Sequence, residues 1–440
     1  MTDDPGRIPS TAIAPETVSR RDGHCWIAKR IDLCESDSMA APFRSRLVLF
    51  EDGRPLGPPH SQHQFIVAKG GGGFSHWNGT LLFSTSDNSD PTSNGRRYEV
   101  GAVPVPDAEA IRHADTLAIA REAPLMAVFD LAGEPLTFDF CTFMAAAEIQ
   151  RRRRGYATGH VAIVPGWRDG LRDESPAYDT LFPPDHRRQR IQDILLPAAS
   201  LWPAWTGASV FTSRDEAATT LSGMTNLHPA DFSPLLTRCA NMDSWPALLR
   251  AHADGLPVMG MKALPGAVAK VSAWLARTAN GRKAVTVTLR DYGHSVARNS
   301  NMEAWTAFIQ ELDATRYFAV IVPDSETFLH DGVDVPGATL FPEAAYNLHL
   351  RAALYQCSYL NMMVSNGPAA LCYFNESACY LQFKLGNDAA PETSLAYVEQ
   401  CGYELFKDCA FARPGQHFIW EPDDLPVLRR EFAKFVACHP

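Results

Sequence analysis

The chain has 440 residues, which at roughly 100–200 residues per domain predicts two to four domains. Its 40 Lys and Arg stand against 50 Asp and Glu, a formal net charge of −10, and that balance excludes the basic footprint of a general nucleic-acid binder. With 46% hydrophobic and 20% charged residues, it is neither a disordered nor a fibrous chain. No run of about 18 apolar residues occurs, so no membrane span is expected. Residues 1–21 lack the apolar stretch of a secretory signal. The ten cysteines form no CxxC pair and read as reduced thiols of a cytoplasmic protein.

In chain order, residues 1–22 are rich in Pro, Thr, Ser, Asp and Arg without periodicity, and a disordered tail is expected there. From 23 to 105, short β runs at 45–50 and 80–84 alternate with turn clusters at 51–55 and 86–95. No helix-period segment fits between them, which predicts a small β-rich module. At 139–154 a helix pattern ends in four arginines that complement a helix C-terminus, and 160–165 reads as a buried strand. A Pro/Gly-rich stretch at 256–267 reads as a linker. Beyond it the helix–strand alternation repeats: strands at 283–289, 316–322 and 359–364, helices at 301–312 and 348–357, and another opening at 368. The expected fold class is α/β, with an acceptor-side lobe at 106–265, a donor lobe at 266–440 whose last helix is free to cross back, and the added β-rich module.

Ligands of open α/β sheets bind at the C-terminal edges of the strands, and three polar strand ends fall there. Arg290 follows the first strand, with Arg298, Asn299 and Ser300 just before the next helix, whose free amides favour an anion. The second strand runs into Asp324, Ser325 and Glu326, suited to a ribose or base. The third runs into Ser365, Asn366 and Gly367, where glycine permits close approach of a ligand. Each motif alone reads equally well as helix capping.

The series Thr-Leu-Arg (288–290), Val-Pro-Asp-Ser-Glu (322–326) and Val-Ser-Asn-Gly-Pro (364–368) resembles the donor half of GT-B glycosyltransferases, nearest to the fucosyltransferase-like and heptosyltransferase-like branches. The resemblance spans about 280–375, and Thr288 stands where the fucosyltransferase motif has His. It implies two Rossmann-like lobes and transfer of a sugar from a nucleotide-sugar donor to a bacterial surface glycan or glycoconjugate, the acceptor being anionic or lipid-linked. It implies Arg290 on the donor's β-phosphate, with Ser365, Asn366 and Gly367 donating to the diphosphate. No metal or cofactor beyond the donor is expected, and Arg290 and Arg298 would stabilise the leaving group. A protein of this kind is expected in the cytoplasm, at most peripheral to the inner membrane. The alternative is a glycan-binding or scaffolding protein that keeps the fold without the chemistry.

Asp139 and Glu148 are the candidate general bases among the carboxylates of the acceptor-side lobe, which also include Asp169, Asp173 and Glu174. In the β-rich module, His60, His63 and His76 lack the spacing of a zinc site, and the module is expected to pack on the first lobe. The arginine runs at 151–154 and 187–190 read as solvated helix ends, or as a basic rim for an anionic acceptor.

Overall fold

The computed structural model describes residues 8–239, 241–324 and 334–440. Contacts divide the chain into two units: residues 1–135, 154–175 and 208–240 form unit 1, and residues 136–153, 176–207 and 241–440 form unit 2. The helix Asp139–Arg153 and the segment 176–207 therefore belong with the C-terminal half, rather than with the contiguous first lobe read from the sequence.

Unit 1 begins with eight short strands: β1 (Ser10–Ala12), β2 (Val18–Asp22), β3 (Cys25–Lys29), β4 (Leu47–Glu51), β5 (Arg54–Pro55), β6 (Phe74–Trp77), β7 (Thr80–Phe83) and β8 (Tyr98–Ala102). They form two antiparallel sheets, β1-β8-β4-β5 and β2-β3-β7-β6. Trp26, Leu49, Phe74, Phe83 and Val100 share one core cluster drawn from both sheets. This is the expected β-rich module, with two corrections. Residues 10–12 and 18–22 are paired strands rather than tail, because β8 and β3 offer them backbone partners. A short helix, His63–Ala68, interrupts the β pattern and buries Phe65 and Ile66.

A third sheet is built from β9 (Leu125–Asp130), β10 (Gly159–Val164), β11 (Trp205–Val210) and β12 (Leu227–His228), in the order β11-β10-β9-β12, and it lies in unit 1 apart from the first three residues of β11. β9 pairs in parallel with both β10 and β12. The β-rich module packs on this sheet, as its small core requires. Arg46 reaches Asp231 at 2.8 Å, Lys69 pairs with Asp173, and Gly57 lies so close to Trp167 that a Cβ would meet the indole at 2.3 Å.

Unit 2 holds a six-stranded sheet of β13 (Lys283–Thr288), β14 (Tyr317–Val322), β15 (Thr339–Leu340), β16 (Leu360–Val364), β17 (Tyr380–Phe383) and β18 (Gln416–Phe418). Its order is β15-β14-β13-β16-β17-β18, with every pairing parallel. Every residue of β14 and β16 is buried, the signature of a strand covered on both faces. The C-terminal helix Leu425–Cys438 sets Val427, Leu428 and Phe435 into the core cluster of this same sheet, so it covers its own unit.

Numbered along the chain, the six-strand order is 3-2-1-4-5-6, the doubly wound Rossmann order. The unit 1 sheet repeats its first four places, 3-2-1-4. The fold is thus α/β with two Rossmann-like sheets and an N-terminal β-rich module. In each sheet the winding reverses beside the strand that comes first in sequence, and a crevice opens there at the C-terminal strand edge.

Candidate functional site

In unit 2 the reversal lies between β13 and β16. The residues after those strands are Arg290 to Ser300 on one side and Ser365 to Gly367 on the other.

The loop after β13 is stapled by three residues that the sequence assigned to ligand binding. The Arg290 backbone N–H donates to Ser300 Oγ at 2.9 Å, and the Ser300 N–H donates back to the Arg290 carbonyl at 2.8 Å. The Arg290 guanidinium donates to the carbonyls of His294 (2.7 Å) and Ser295 (3.1 Å) and to Asn299 Oδ1.

 All of these bonds stay inside one loop, so Arg290, Asn299 and Ser300 hold its backbone in place instead of facing outward. Burial, then the neighbouring Arg298 charge, push the Arg290 guanidinium below its ordinary pKa, and Asp324 opposes that shift. Asp324 is thereby placed within electrostatic reach of Arg290. Ser325 and Glu326 lie outside the described residues.

Two other side chains of the crevice, Arg298 and Asn366, each keep a buried donor without a partner. Arg298 sends Nη2 to the Ser365 carbonyl at 3.2 Å, which ties the β13 loop to the β16 turn. Its Nε is buried without an acceptor in the protein, and so is Nδ2 of Asn366. The other end of the Asn366 amide accepts from the Ala369 N–H at 3.1 Å and caps the one-turn helix Gly367–Ala369. Burial is the main cause that lowers the Arg298 pKa, opposed by the charges of Glu392 and Asp139. An anion would satisfy both orphan donors and offset the cost of burying the guanidinium.

Asp139 comes to the same place. It stands exposed in the first turn of the helix Asp139–Arg153, where Thr137 Oγ1 donates to it at 2.8 Å. The preceding residue, Phe138, lies so near the β16 turn that a Cβ on Gly367 would sit 2.8 Å from its ring. Glycine is needed there for that close approach.

Glu148 does not join this site. It lies nine residues along the same helix, about 13 Å away at 1.5 Å per residue. Its carboxylate accepts from Arg151 at 2.7 Å, Arg152 at 2.7 Å and Trp205 at 3.0 Å. Burial raises its pKa, but these bonds outweigh burial and the net shift is downward. That makes it a structural counter-ion with its lone pairs occupied, unsuited to take a proton.

The end of the third flanking strand, β17, supplies residues that the sequence reading missed. Lys384 Nζ donates to the Asn299 carbonyl at 2.9 Å, and Glu392 accepts from Ser295 Oγ at 2.8 Å. The alternating run Tyr-Leu-Gln-Phe-Lys (380–384) carries the signal of a strand with a polar end. Glu392 has no local signal, because only the fold brings it to the loop.

Two further expectations are corrected, and Thr288 is located. The helix after the β13 loop, Met302–Glu311, is capped by Asn301, and the Asn301 N–H donates to Asp423 at 2.7 Å. An internal carboxylate thus sits where the sequence placed a bound anion. Thr288, in the motif's His position, is buried and bonds Tyr355 at 2.8 Å, so it faces the core. The arginine runs form no free rim: Arg151 and Arg152 pair with Glu148, Arg153 with Asp254, Arg154 with Asp115, Arg187 with Asp179 and Arg188 with Asp185. Arg190 bonds Tyr292 at 2.9 Å.

Among the described residues, no group of three His, Cys, Asp or Glu side chains is arranged to hold a metal ion. His60 pairs with Asp37, His76 bonds Ser45 at 2.9 Å, and His63 meets Trp77 edge-on. No described helix is long and apolar enough to cross a membrane.

No protein-family model and no curated protein matches the sequence. Among solved structures, the chain is similar to the ADP-heptose lipopolysaccharide heptosyltransferase II of E. coli, at 9% identity and a TM-score of 0.43, over 72% of this chain and 100% of that one. It is also similar to a family 9 glycosyl transferase of Veillonella parvula, at 7% identity and a TM-score of 0.41, over 71% and 96%. A Bradyrhizobium fucosyltransferase, NodZ, matches at 13% identity and a TM-score of 0.27, over 57% and 94%. At such TM-scores the fold stands on the strand order of the two sheets, and the function on the side chains at their edges.

Proposed function

We propose that this protein is a glycosyltransferase that moves a sugar from a nucleotide-sugar donor to a hydroxyl of a glycan or glycoconjugate acceptor. The observation that carries the reading is the pair of buried, unpartnered donors, Arg298 Nε and Asn366 Nδ2, at the reversal point of a Rossmann-ordered sheet. That is where such sheets bind nucleotides, and two such donors suit a diphosphate. The resemblance of the motifs at 288–290, 322–326 and 364–368 to GT-B donor halves supports the same assignment. The three solved structures above are all sugar transferases by name, which agrees with it without adding weight.

In the reaction, the acceptor hydroxyl attacks the anomeric carbon as the bond from that carbon to the diphosphate oxygen breaks. The nucleoside diphosphate leaves with the bonding electron pair, and the acceptor proton passes to a carboxylate. Arg298 stabilises the negative charge that grows on the leaving group, in a buried setting where a fixed cation acts strongly. Asn366 and the Ser365 hydroxyl orient the diphosphate. Asp139, exposed and within electrostatic reach of Arg298, is the carboxylate we assign to the proton. Arg290 acts one step back, by holding the loop that carries Arg298. With the leaving group neutralised by side chains, turnover should persist in EDTA.

Titration calorimetry of the full chain with ADP, GDP, UDP and CDP tests the proposal. Binding of at least one nucleotide by the native protein, weakened in Arg298→Ala, is the expected result. No binding across the panel would contradict it and leave a glycan-binding or scaffolding protein as the better account.

A further inference from the structure

The corresponding edge of the unit 1 sheet has its own cavity, of about 250 Å³. Its walls come from four places, one of them Thr237 after β12. Ala132 and Gly133 follow β9, the segment from Trp167 to Glu174 follows β10, and Phe43 with residues 58–62 comes from the β-rich module. The cavity thus lies at the C-terminal strand edge, where ligands of such sheets bind, and the module closes one side of it.

Its chemistry differs from that of the unit 2 crevice. The charged residues of the lining, Arg168, Arg172, Asp173 and Glu174, are two cations and two anions. Arg168 pairs with Asp173 at 3.3 Å and Arg172 with Glu174 at 2.5 Å. Each guanidinium of the lining is engaged by a carboxylate, which leaves it less able to hold an anion. A purely apolar guest would leave these polar groups desolvated without new partners. A neutral molecule with many hydroxyls fits both conditions, and Phe43, Pro58 and Leu171 offer an apolar wall for its ring face. Ligand pockets commonly run from about 300 to 1,000 Å³, so this one admits a single ring and not an extended chain.

One polar group on the wall is set with care. His60 and Asp37 are bonded at 2.5 Å through Nδ1 and Oδ2, with side chains only 6% and 3% exposed. Asp37 is fixed in turn, since its Oδ1 accepts the Ser45 N–H at 2.8 Å. In a neutral ring whose Nδ1–H donates to that carboxylate, Nε2 is an acceptor. His60 also has a φ of 56°, in the left-handed region that a residue with a Cβ adopts at a cost.

We infer that this cavity binds one neutral sugar ring, with His60 Nε2 accepting a hydrogen bond from a ring hydroxyl and the paired Arg and carboxylate side chains meeting the others. The site stands in unit 1 alone, so its test needs no nucleotide and is separate from the donor assignment.

The experiment is saturation-transfer NMR and calorimetry of the full chain with methyl glycosides of glucose, galactose, mannose and N-acetylglucosamine, with inorganic phosphate as a further ligand. At least one glycoside should bind saturably, and phosphate should not compete with it. His60→Gln, which keeps the side chain's size but ends the Asp37-directed acceptor, should raise that Kd about tenfold, the scale of one lost hydrogen bond. Ala132→Leu, which adds bulk to the wall and leaves the His–Asp pair intact, should abolish binding at an unchanged melting temperature. Failure of every glycoside to bind the native protein would overturn the inference. So would a Kd unchanged in both variants, or displacement of the sugar by phosphate.

Discussion

The two sheets reverse their winding in the same way, yet the side chains at the two reversal points ask for different ligands. In unit 2 a buried guanidinium nitrogen and a buried amide nitrogen have no acceptor, and an anion would satisfy both. In unit 1 the cations and carboxylates on the cavity wall are matched in pairs, and a His–Asp couple offers an acceptor in place of a donor. Strand order therefore places a crevice, and the loop residues decide what enters it.

Variants at Asp139 should break the comparison most severely. Asp139→Asn removes the proposed proton acceptor, and kcat should fall by about 10²–10⁴ while nucleotide affinity is kept. A kcat within a few-fold of the native value would take Asp139 out of the reaction. Next in size is Arg298→Ala, expected to lower turnover by about 10²–10³ and to weaken nucleotide binding, with glycoside affinity in unit 1 untouched. Equal losses at both sites would show that the variant damages the fold rather than the unit 2 crevice.

A smaller effect is expected at Arg290, whose bonds all serve its own loop. Arg290→Ala should raise the nucleotide Kd about tenfold, the scale of one hydrogen bond at the site, and should speed amide exchange at 291–299. Arg290→Lys should recover only part, since lysine lacks the planar fork that meets several acceptors at once. Unchanged exchange in the alanine variant would contradict the positioning role.

The mildest prediction concerns unit 1 alone. Burial, with Arg154 nearby, pushes the His228 pKa down to about 4, below the usual value of about 6.5. Between those values the unfolded chain binds the proton more readily, so stability should rise as pH is raised from about 4 to 6.5. His228→Gln should flatten that part of the melting-temperature profile. An identical slope in the variant would assign the acid sensitivity to other groups.

Much of this was legible in the sequence. The buried β-branched run Val-Thr-Val-Thr (285–288) and the helix at 348–357 lie where the sequence pattern placed them, the first because strands covered on both faces are built of such residues. Arg298, Ser365, Asn366 and Gly367, chosen as strand-end residues, do converge. The reading failed where the answer depended on a partner distant in sequence. Arg290 looked like a phosphate ligand until its loop carbonyls were seen around it, and Glu148 looked like a base until Trp205 was found on its carboxylate. The unit 1 cavity was hidden for the same reason: Asp37, His60 and Glu174 share no motif, and only packing of the β-rich module on the sheet brings them together.

The most direct test of the central claim is hydrogen–deuterium exchange of the full chain with and without a nucleoside diphosphate that it binds. Protection should appear in the segments 290–300 and 365–370, at the edge of the six-stranded sheet, and leave 58–62, 131–133 and 165–174 unchanged. Protection confined to the unit 1 segments, or spread equally over both edges, would contradict the assignment of the anion to unit 2.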